Sequence, residues 1–276
     1  MTLKFLNRIH FKLNHYLKIL SFTGCLILPI QSHAQSISQD YPKWGNFPSR
    51  VKDSYKSFYQ KQNGIILGLG FGVGALMANT SIDQSIADWY QKQARSNTTN
   101  RLSTNFKVFG NNKDVLIGFA SITGASILLR QTHPGQLMGE FSQRYLAGLL
   151  VGLPPLLITQ NLTGADRPYN NNGSHWQPLK HDHGVSGHAF LGALPFLTLS
   201  SMTHQPILKS GLMITSTLTG VSRINDNAHY ASQVGLGWLI AYLSVRSVNH
   251  NGTSSIEITP FVDQEGTTGI GVSKSF

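Results

Sequence analysis

Six apolar runs separated by polar breaks constrain the fold of this 276-residue chain more than any other feature. Each run is about 11 to 16 residues long, whereas a helix that crosses a bilayer needs roughly 20 apolar residues. Apolar runs of this kind predict helices, and six such helices predict an all-α, multi-helix bundle. The runs cover residues 65–78, 115–129, 145–158, 189–199, 208–218 and 234–245.

The relation of these helices to a membrane is left open by the sequence. Several of the runs are rich in Gly and Ala, as spanning helices often are. Their short length and a mean hydropathy of −0.09 for the whole chain favour buried core helices instead. We therefore expect a body that rests on, or dips into, a membrane surface.

The first 34 residues have the pattern of a secretory signal peptide. Basic residues precede the short apolar run 19–30, and Ser32-His33-Ala34 follows it, so cleavage is expected after Ala34. An uncleaved membrane anchor is the alternative, and the short run disfavours it. The sole cysteine, Cys25, lies in this segment, so the mature chain is expected to have no disulfide. The predicted location is the periplasm.

Composition divides the rest of the chain. Residues 35–62 are expected to form an extended leader, residues 63–249 the helical domain, and residues 250–276 a short C-terminal β-hairpin with alternating apolar residues. Residues 1–34 contain four basic and no acidic residues, so their removal lowers the formal net charge from +10 to +6. This charge suits an anionic lipid surface or a phosphorylated substrate, and it is not the signature of a nucleic-acid-binding protein.

Polar residues collect in three clusters between residues 160 and 233, at the ends of apolar helices. The first cluster is Arg167-Pro168, the second is Ser186-Gly187-His188 before the run 189–199, and the third is Ser222-Arg223 with His229 six residues after the arginine. The second cluster stands where a helix begins, so its free backbone N–H groups and the helix dipole favour an anion.

The side chains in these clusters are suited to phosphate chemistry. Arg167 and Arg223 each offer a planar fork of donors to phosphoryl oxygens. One of the two histidines, His188 and His229, can attack phosphorus while the other protonates the leaving oxygen. Taken singly, each residue is also explained as a helix cap or an ordinary polar side chain, so the argument depends on their order and spacing.

The three clusters together resemble the signature of the type-2 phosphatidic acid phosphatases, whose superfamily includes class A bacterial acid phosphatases and vanadium haloperoxidases. The family pattern is Lys-x6-Arg-Pro, Pro-Ser-Gly-His and Ser-Arg-x5-His-x3-Asp. The resemblance implies a helical bundle with its site at helix ends and a metal-independent phosphatase without a cofactor. It makes His229 the nucleophile that forms a phosphohistidine and His188 the proton donor. Arg167, Ser186, Gly187 and Arg223 would hold the phosphate.

Three signature positions differ from the family pattern. Gln160 stands where the family has Lys, Val185 where it has Pro, and Gln233 where it has Asp. Lys180 is a possible source of the missing positive charge if its loop folds inward. Gln233, four residues after His229 on one helix face, can accept a hydrogen bond but brings no charge.

Two carboxylates are candidate replacements for the family's Asp. Asp226 or Asp182 would have to reach His229 from another direction. Without such a charge, the alternative function is a catalytically impaired protein of the same fold that binds phosphate or a phospholipid. A vanadium haloperoxidase is the rival within the fold, and the absent lysine argues against it.

Several histidines near the second cluster invite a metal-site interpretation, but their spacing matches no zinc motif that we can defend. We expect the histidines to line the mouth of the pocket, where His181 and His183 can help to bind an anionic head group at mildly acidic pH. The residues that suggest a metal site are His175, His181, Asp182, His183 and His188. The preferred substrate is a phosphomonoester or diphosphate of a lipid, such as phosphatidic acid or an isoprenyl diphosphate, with a soluble phosphomonoester second.

Overall fold

The structure, a computed structural model, describes residues 42–249 and the backbone of two strands beyond them. Residues 42–249 form α-helices joined by turns and loops, the longest of which lies between Thr163 and Gly187. The helices are α1 (Phe47–Phe58), α2 (Lys61–Asn79), α3 (Ile82–Trp89), α4 (Asn97–Phe106), α5 (Asn112–Leu128), α6 (His133–Thr163), α7 (Gly187–Ser201), α8 (Pro206–Asn225) and α9 (Ala231–Asn249).

The predicted helical bundle is confirmed. The six apolar runs correspond to α2 and α5 to α9, although α6 begins well before its run and the run 115–129 extends one residue past α5. The predicted signal peptide, residues 1–34, lies outside the described residues. The strands Ile256–Val262 and Thr268–Lys274 pair antiparallel, with Ile258 opposite Val272, in agreement with the predicted C-terminal hairpin.

The described part of the leader differs from the predicted extended chain, because it contains α1. Val51, Ser54, Tyr55 and Phe58 recur at the spacing of one helix face, and Phe58 is almost fully buried. This face packs against α6 and α9. The apolar positions are few and spaced like a helix, so a search for long apolar runs misses them.

Helix α7 forms the centre of the bundle, packed against α6, α8 and α9. It is apolar on all sides, and Phe190, Leu194, Phe196 and Leu197 are buried. Burying a Leu or Phe side chain contributes about 1.5 to 3 kcal/mol, so this helix holds the others in place. The N-terminus of α7 is thereby fixed at one end of the bundle.

The chain after α6 folds back onto the end of that helix. Gly164 ends α6 with a φ of +56°, a left-handed conformation that favours glycine. The backbone N–H groups of Gln177 and Leu179 then donate to the carbonyls of Thr163 (3.0 Å) and Asn161 (2.8 Å). These bonds hold the loop 165–186 across the bundle end where α7 and α9 begin.

Apolar side chains are exposed along one set of helices. The exposed residues lie mainly on α2, α5 and α6, and they include Ile65, Leu69, Val73, Leu76, Leu116, Ile117, Ile127, Leu128, Leu153, Leu157, Ile158 and Leu162. Within the described residues, the segment His133–Asn170 is long and apolar enough to cross a membrane. A second candidate is the pair Lys61–Asn79 and Ile82–Ala94, bent by 72°.

Candidate active site

His229 is held in one orientation by Gln233. The Nδ1 atom of His229 lies 2.8 Å from Oε1 of Gln233, and His229 is only 4% exposed. The residue stands just before α9 and Gln233 lies in its first turn, so the helix sets their separation. The four-residue spacing between His229 and Gln233 therefore brings the two side chains into contact.

The amide of Gln233 has its own orientation fixed by two backbone groups. Its Nε2 donates to the carbonyl of Asp166 (2.8 Å), which can only accept, and its Oε1 accepts from the N–H of Tyr230 (3.1 Å), which can only donate. The Oε1 atom therefore faces His229, and the ring nitrogen that meets it must carry the proton. His229 is held as the Nδ1–H tautomer, with the lone pair on Nε2.

The surroundings of His229 keep its ring neutral. Burial is the main cause that lowers the pKa of His229 to about 3, and the nearby Arg167, Arg223 and His188 lower it further. The hydrogen bond with Gln233 raises the pKa of His229, but its effect is smaller than that of burial. A neutral imidazole with a free Nε2 lone pair is the form that can attack an electrophile.

A buried carboxylate anchors the start of α9. Asp83 in α3 is fully buried, and it accepts hydrogen bonds from the backbone N–H of Ser232 (3.0 Å) and from the Ser232 hydroxyl. Burial raises the pKa of Asp83. This bond acts as a helix cap supplied from elsewhere in the chain, and it fixes the turn between His229 and Gln233.

His188 lies in the first turn of α7, and it is half-buried. Gly110 packs so closely that a Cβ there would lie 2.7 Å from the backbone oxygen of His188. Burial, followed by the charges of Arg223 and Arg167, lowers the pKa of His188 to about 4. An anion bound between these arginines offsets their charges and raises that pKa.

Both arginines have a buried N–H group without a partner. Among the described residues, the Nε atoms of Arg167 and Arg223 are each buried and form no hydrogen bond. A buried, unpaired guanidinium N–H costs free energy unless a ligand accepts from it. The two arginines influence the pKa of both histidines, so these four side chains share one site.

The Arg167 loop is organised by Asp166, which is buried. One carboxylate oxygen accepts from the Arg167 N–H and from Asn170 Nδ2 (both 2.7 Å), and the other accepts from Asn172 Nδ2 (2.7 Å). The Arg167 guanidinium lies 5.8 Å from the centre of the Tyr169 ring. The backbone carbonyl of Asp166 also accepts from Gln233, so Asp166 connects the Arg167 loop to the partner of His229.

The segment 184–188 has the geometry expected of a helix N-terminus. Ser186 is buried, and its hydroxyl accepts from the Ala189 N–H (3.3 Å), which makes Ser186 the N-cap of α7. The Ser186 N–H donates to the carbonyl of Gln233 (2.9 Å). Gly237 allows α9 to approach, because a Cβ there would overlap the carbonyl oxygen of Ser186.

Gln160 supports the backbone of the segment 184–188, where α7 begins. Its Nε2 donates to the carbonyl of Val185 (2.9 Å), and a Cβ at Gly187 would lie 3.3 Å from the same Nε2. The residue at the family's lysine position therefore lies beside the helix N-terminus but brings no charge.

The structure corrects two expectations about substitute charges. Lys180 is exposed, and no hydrogen bond or ion pair of its side chain to the site is found within residues 42–249. Asp226 does not contact His229. Its carboxylate pairs with Arg223 Nη1 (3.6 Å) and Lys107 Nζ (3.4 Å) and accepts from Ser103 (2.7 Å). Asp226 therefore orients an arginine, and Gln233 remains the partner of the histidine.

The histidines near the pocket mouth are spread over the loop surface. His183 Nδ1 lies between Asp182 Oδ1 (2.9 Å) and Arg167 Nη2 (3.4 Å), and burial and Arg167 lower its pKa. His181 approaches Asp166 (4.0 Å), and His175 is exposed. Within the part of the chain that the structure describes, no three His, Cys, Asp or Glu side chains are grouped to hold a metal ion.

Sequence reasoning missed Asp83 and the role of Asp166. The position of Asp166 next to Arg167 could have indicated its role. The Asn170 and Asn172 amides that follow are typical hydrogen-bond partners of a loop carboxylate. Asp83 lies 149 residues from Ser232, and no local pattern connects the two.

Two arginines and a helix N-terminus, with a neutral histidine held beside them, are suited to binding a phosphoryl group. Residues 146–253 match the model of the PAP2 superfamily. This match spans the three polar clusters and agrees with the predicted resemblance to the type-2 phosphatidic acid phosphatases.

Comparison with solved structures finds a transmembrane PAP2-type phosphatidylglycerolphosphate phosphatase from Bacillus subtilis. The similarity has a TM-score of 0.46 and 20% sequence identity, and it covers 67% of this chain and 92% of that one. No curated protein matches the chain significantly.

Proposed function

We propose that this protein is an exported, membrane-associated phosphatase that hydrolyses a phosphorylated lipid through a phosphohistidine on His229. The observation that carries the proposal is the fixed Nδ1–H tautomer of His229, which leaves Nε2 unprotonated in a site that also contains two arginines with buried, unpaired Nε groups. The match to the PAP2 superfamily model supports the reaction class. The Gln at position 233 supplies the orientation that the family obtains from Asp, without its charge.

In the first step, Nε2 of His229 attacks phosphorus and the bond from phosphorus to the leaving oxygen breaks. Arg167, Arg223 and the N-terminal N–H groups of α7 bind the phosphoryl oxygens and stabilise their charge in the transition state. His188 gives its proton to the leaving oxygen. The bound phosphate raises the pKa of His188 by offsetting the two arginine charges, so the proton is available when substrate is present.

In the second step, neutral His188 takes a proton from water as the water oxygen bonds to phosphorus. The bond from phosphorus to Nε2 breaks, and His229 returns to its neutral form. Throughout the cycle Nδ1–H stays bonded to Gln233. The products of a monoester are an alcohol and inorganic phosphate, and His188 again carries the proton that the next cycle needs.

A lipid substrate is favoured by the surface of the bundle. Exposed apolar side chains on α2, α5 and α6 suit contact with a bilayer, and the net charge of +6 that remains after removal of residues 1–34 suits anionic lipid head groups. The segment His133–Asn170, which carries Arg167, is also apolar enough to enter a membrane. These features support phosphatidic acid or a related lipid phosphate over a soluble phosphomonoester.

The test is direct detection of the phosphorylated intermediate. Protein is mixed with ³²P-labelled phosphatidic acid or p-nitrophenyl phosphate and quenched in alkali, in which phosphohistidine survives. Label is expected on the wild type and on His181→Ala, a matched histidine variant at the pocket mouth. It should be absent from His229→Ala.

The second candidate function is phosphate binding without turnover, and it is favoured by the lack of charge on Gln233. Phosphate binding that depends on Arg167 and Arg223, without label on His229 and without phosphate release, would establish a binding protein instead. Phosphate release without label on His229 would exclude the phosphohistidine route.

A further inference from the structure

His183 contacts the guanidinium of Arg167 at the edge of the site. Its Nδ1 atom lies 3.4 Å from Nη2 of Arg167, and within residues 42–249 no other hydrogen-bond acceptor reaches this guanidinium. The guanidinium carbon lies over the Tyr169 ring, 5.8 Å from its centre, and the Nε atom is buried without a partner. The contact with His183 therefore decides in which direction the other donors of Arg167 point.

The backbone beside His183 is held against the end of α6. A Cβ at Gly184 would overlap the hydroxyl oxygen of Thr163, so the chain passes directly over this helix end. The Gln177 N–H donates to the carbonyl of Thr163 (3.0 Å). His183 and Arg167 lie 16 residues apart, near the two ends of one loop, and their contact joins these ends. The packed backbone of the loop thus brings the imidazole to the arginine.

The same ring nitrogen faces a second partner that requires the opposite proton state. Nδ1 of His183 also lies 2.9 Å from Oδ1 of Asp182. A guanidinium can only donate, so its contact requires a lone pair on Nδ1, whereas an ionised carboxylate can only accept and requires a proton there. One nitrogen cannot satisfy both at once. His183 therefore has two alternative hydrogen-bonded states, one for each partner.

The charged groups around His183 decide between these states. Burial and then the charge of Arg167 lower the pKa of His183, whereas Asp182 and Asp166 act in the raising direction with smaller effect. His181 is the other titratable group nearby, and it lies 4.0 Å from Asp166. A neutral ring can offer the Nδ1 lone pair to the arginine. A proton taken up at lower pH occupies Nδ1 and places a second positive charge beside Arg167.

We propose that His183 is a positioning residue for Arg167: with Nδ1 unprotonated it accepts from Nη2 and directs the remaining donors to the phosphoryl oxygens, and with Nδ1 protonated it donates to Asp182 and releases the arginine. The inference rests on the proposed function, because it assigns a control of phosphate binding within the same site. Acid therefore weakens phosphate binding through this histidine. Direct binding of the anion by a charged His183 would have the opposite effect, so the two roles can be separated.

The test measures the dissociation constant of inorganic phosphate by titration calorimetry at pH 7.5 and pH 5.5. His183→Ala leaves the guanidinium without an acceptor, so at pH 7.5 the dissociation constant should rise by about 5- to 100-fold. In His183→Asn, Oδ1 takes the place of Nδ1 and cannot be protonated. This variant should match the wild type at pH 7.5 and bind phosphate more tightly than the wild type at pH 5.5.

Two further variants sharpen the comparison. Asp182→Asn removes a charge that favours the protonated ring, so this variant should keep tight binding to a lower pH than the wild type. His133→Asn, at an exposed position at the start of α6, is the control and should follow the wild type at both pH values.

Three outcomes overturn the proposal. One is a wild type and His183→Asn with the same pH dependence, and another is a wild type that gains affinity relative to His183→Asn on acidification. The third is a dissociation constant of His183→Ala equal to that of the wild type at pH 7.5. Circular dichroism of each variant checks that the helices are intact, and the match of His183→Asn to the wild type at pH 7.5 shows that the acceptor is what matters.

Failure of the proposed function is distinguished by turnover of p-nitrophenyl phosphate in the same variants. If the dissociation constants follow the expected pattern and no variant or wild type releases phosphate, the positioning role stands and the phosphatase function fails. If phosphate is released and the kcat/KM ratio of His183→Asn to wild type does not change with pH, the phosphatase function stands and the positioning role fails. No phosphate binding by the wild type at pH 7.5 overturns both.

Discussion

The two histidine sides of the site are held in different ways. On the His229 side, the ring is buried and bonded to Gln233, Gln233 is bonded to two backbone groups, and Asp83 anchors the helix start. On the other side, His188 is half-buried at the N-terminus of α7, and its pKa responds chiefly to burial and to the two arginine charges. The His229 side fixes the orientation of the ring, whereas the pKa of His188 responds to nearby charge.

This difference matches the separate tasks of a nucleophile and a proton carrier. A nucleophile needs one tautomer and one direction of attack, which hydrogen bonds within the protein supply. A proton carrier needs a pKa that changes when substrate binds, and exposure to solvent allows it to exchange protons. The predictions below test whether the two sides are as distinct as the geometry indicates.

The largest effect is expected from replacing each histidine in turn. His229→Ala should lower kcat/KM by at least about 10⁴-fold for every substrate, because no nucleophile remains. His188→Ala should lower it by about 10² to 10⁴-fold for an alkyl phosphate. The loss should be much smaller for p-nitrophenyl phosphate, whose leaving group needs no proton. Equal losses of the two variants on both substrates would contradict the division of roles.

The next effect concerns the fixed tautomer. Gln233→Met keeps the size of the side chain but removes the acceptor, so kcat should fall by about 10³ to 10⁴-fold, as when a triad histidine takes the wrong tautomer. Gln143→Met is the control, because Gln143 is equally buried and bonds Pro42 instead (3.3 Å). Stopped-flow measurement of phosphate release checks both, and a loss below tenfold for Gln233→Met would show that the tautomer is set elsewhere.

A smaller effect is expected from loosening the helix start. Asp83→Ala removes the acceptor for both Ser232 donors, so His229 should shift and kcat should fall by about 10 to 100-fold with little change in KM. Asp88→Ala, an exposed carboxylate on the same helix, is the control. A change in KM alone would mean that Asp83 acts on substrate binding rather than on the nucleophile.

The smallest effect is on the pH dependence of stability. The folded-state pKa of His229, about 3, lies below its ordinary value of 6.5, so unfolding takes up a proton as the pH falls below about 6.5. Between pH 7 and pH 5 this costs the wild type about 2 kcal/mol of unfolding free energy, and His229→Gln should lack that loss.

Urea denaturation at the two pH values measures this difference. His133→Gln, at an exposed position, is the control and should keep the wild-type loss. Equal losses in wild type and His229→Gln would mean that the ring is protonated in the folded protein.

The apolar runs and the three polar clusters made the bundle and most of the site predictable from sequence. Long apolar helices depend on their own composition. His229 stands just before α9 and Gln233 lies in its first turn, so their four-residue spacing places them together. The helix α1 was missed because its buried face is narrow, and the Asp83 bond was missed because it joins distant parts of the chain. The directions in which the side chains of Lys180 and Asp226 point depend on how their loops pack, and residue spacing does not predict this packing.

The bond from Asp83 to Ser232 also imposes an order in time. A chain is synthesised from its N-terminus, and the partner of Asp83 follows 149 residues later, in the last helix of the bundle. His229 therefore reaches the position described above only after α9 has emerged and docked against α3. We expect nascent or truncated chains that end before α9 to contain both arginines but to be inert, so that activity arises as the final event of assembly.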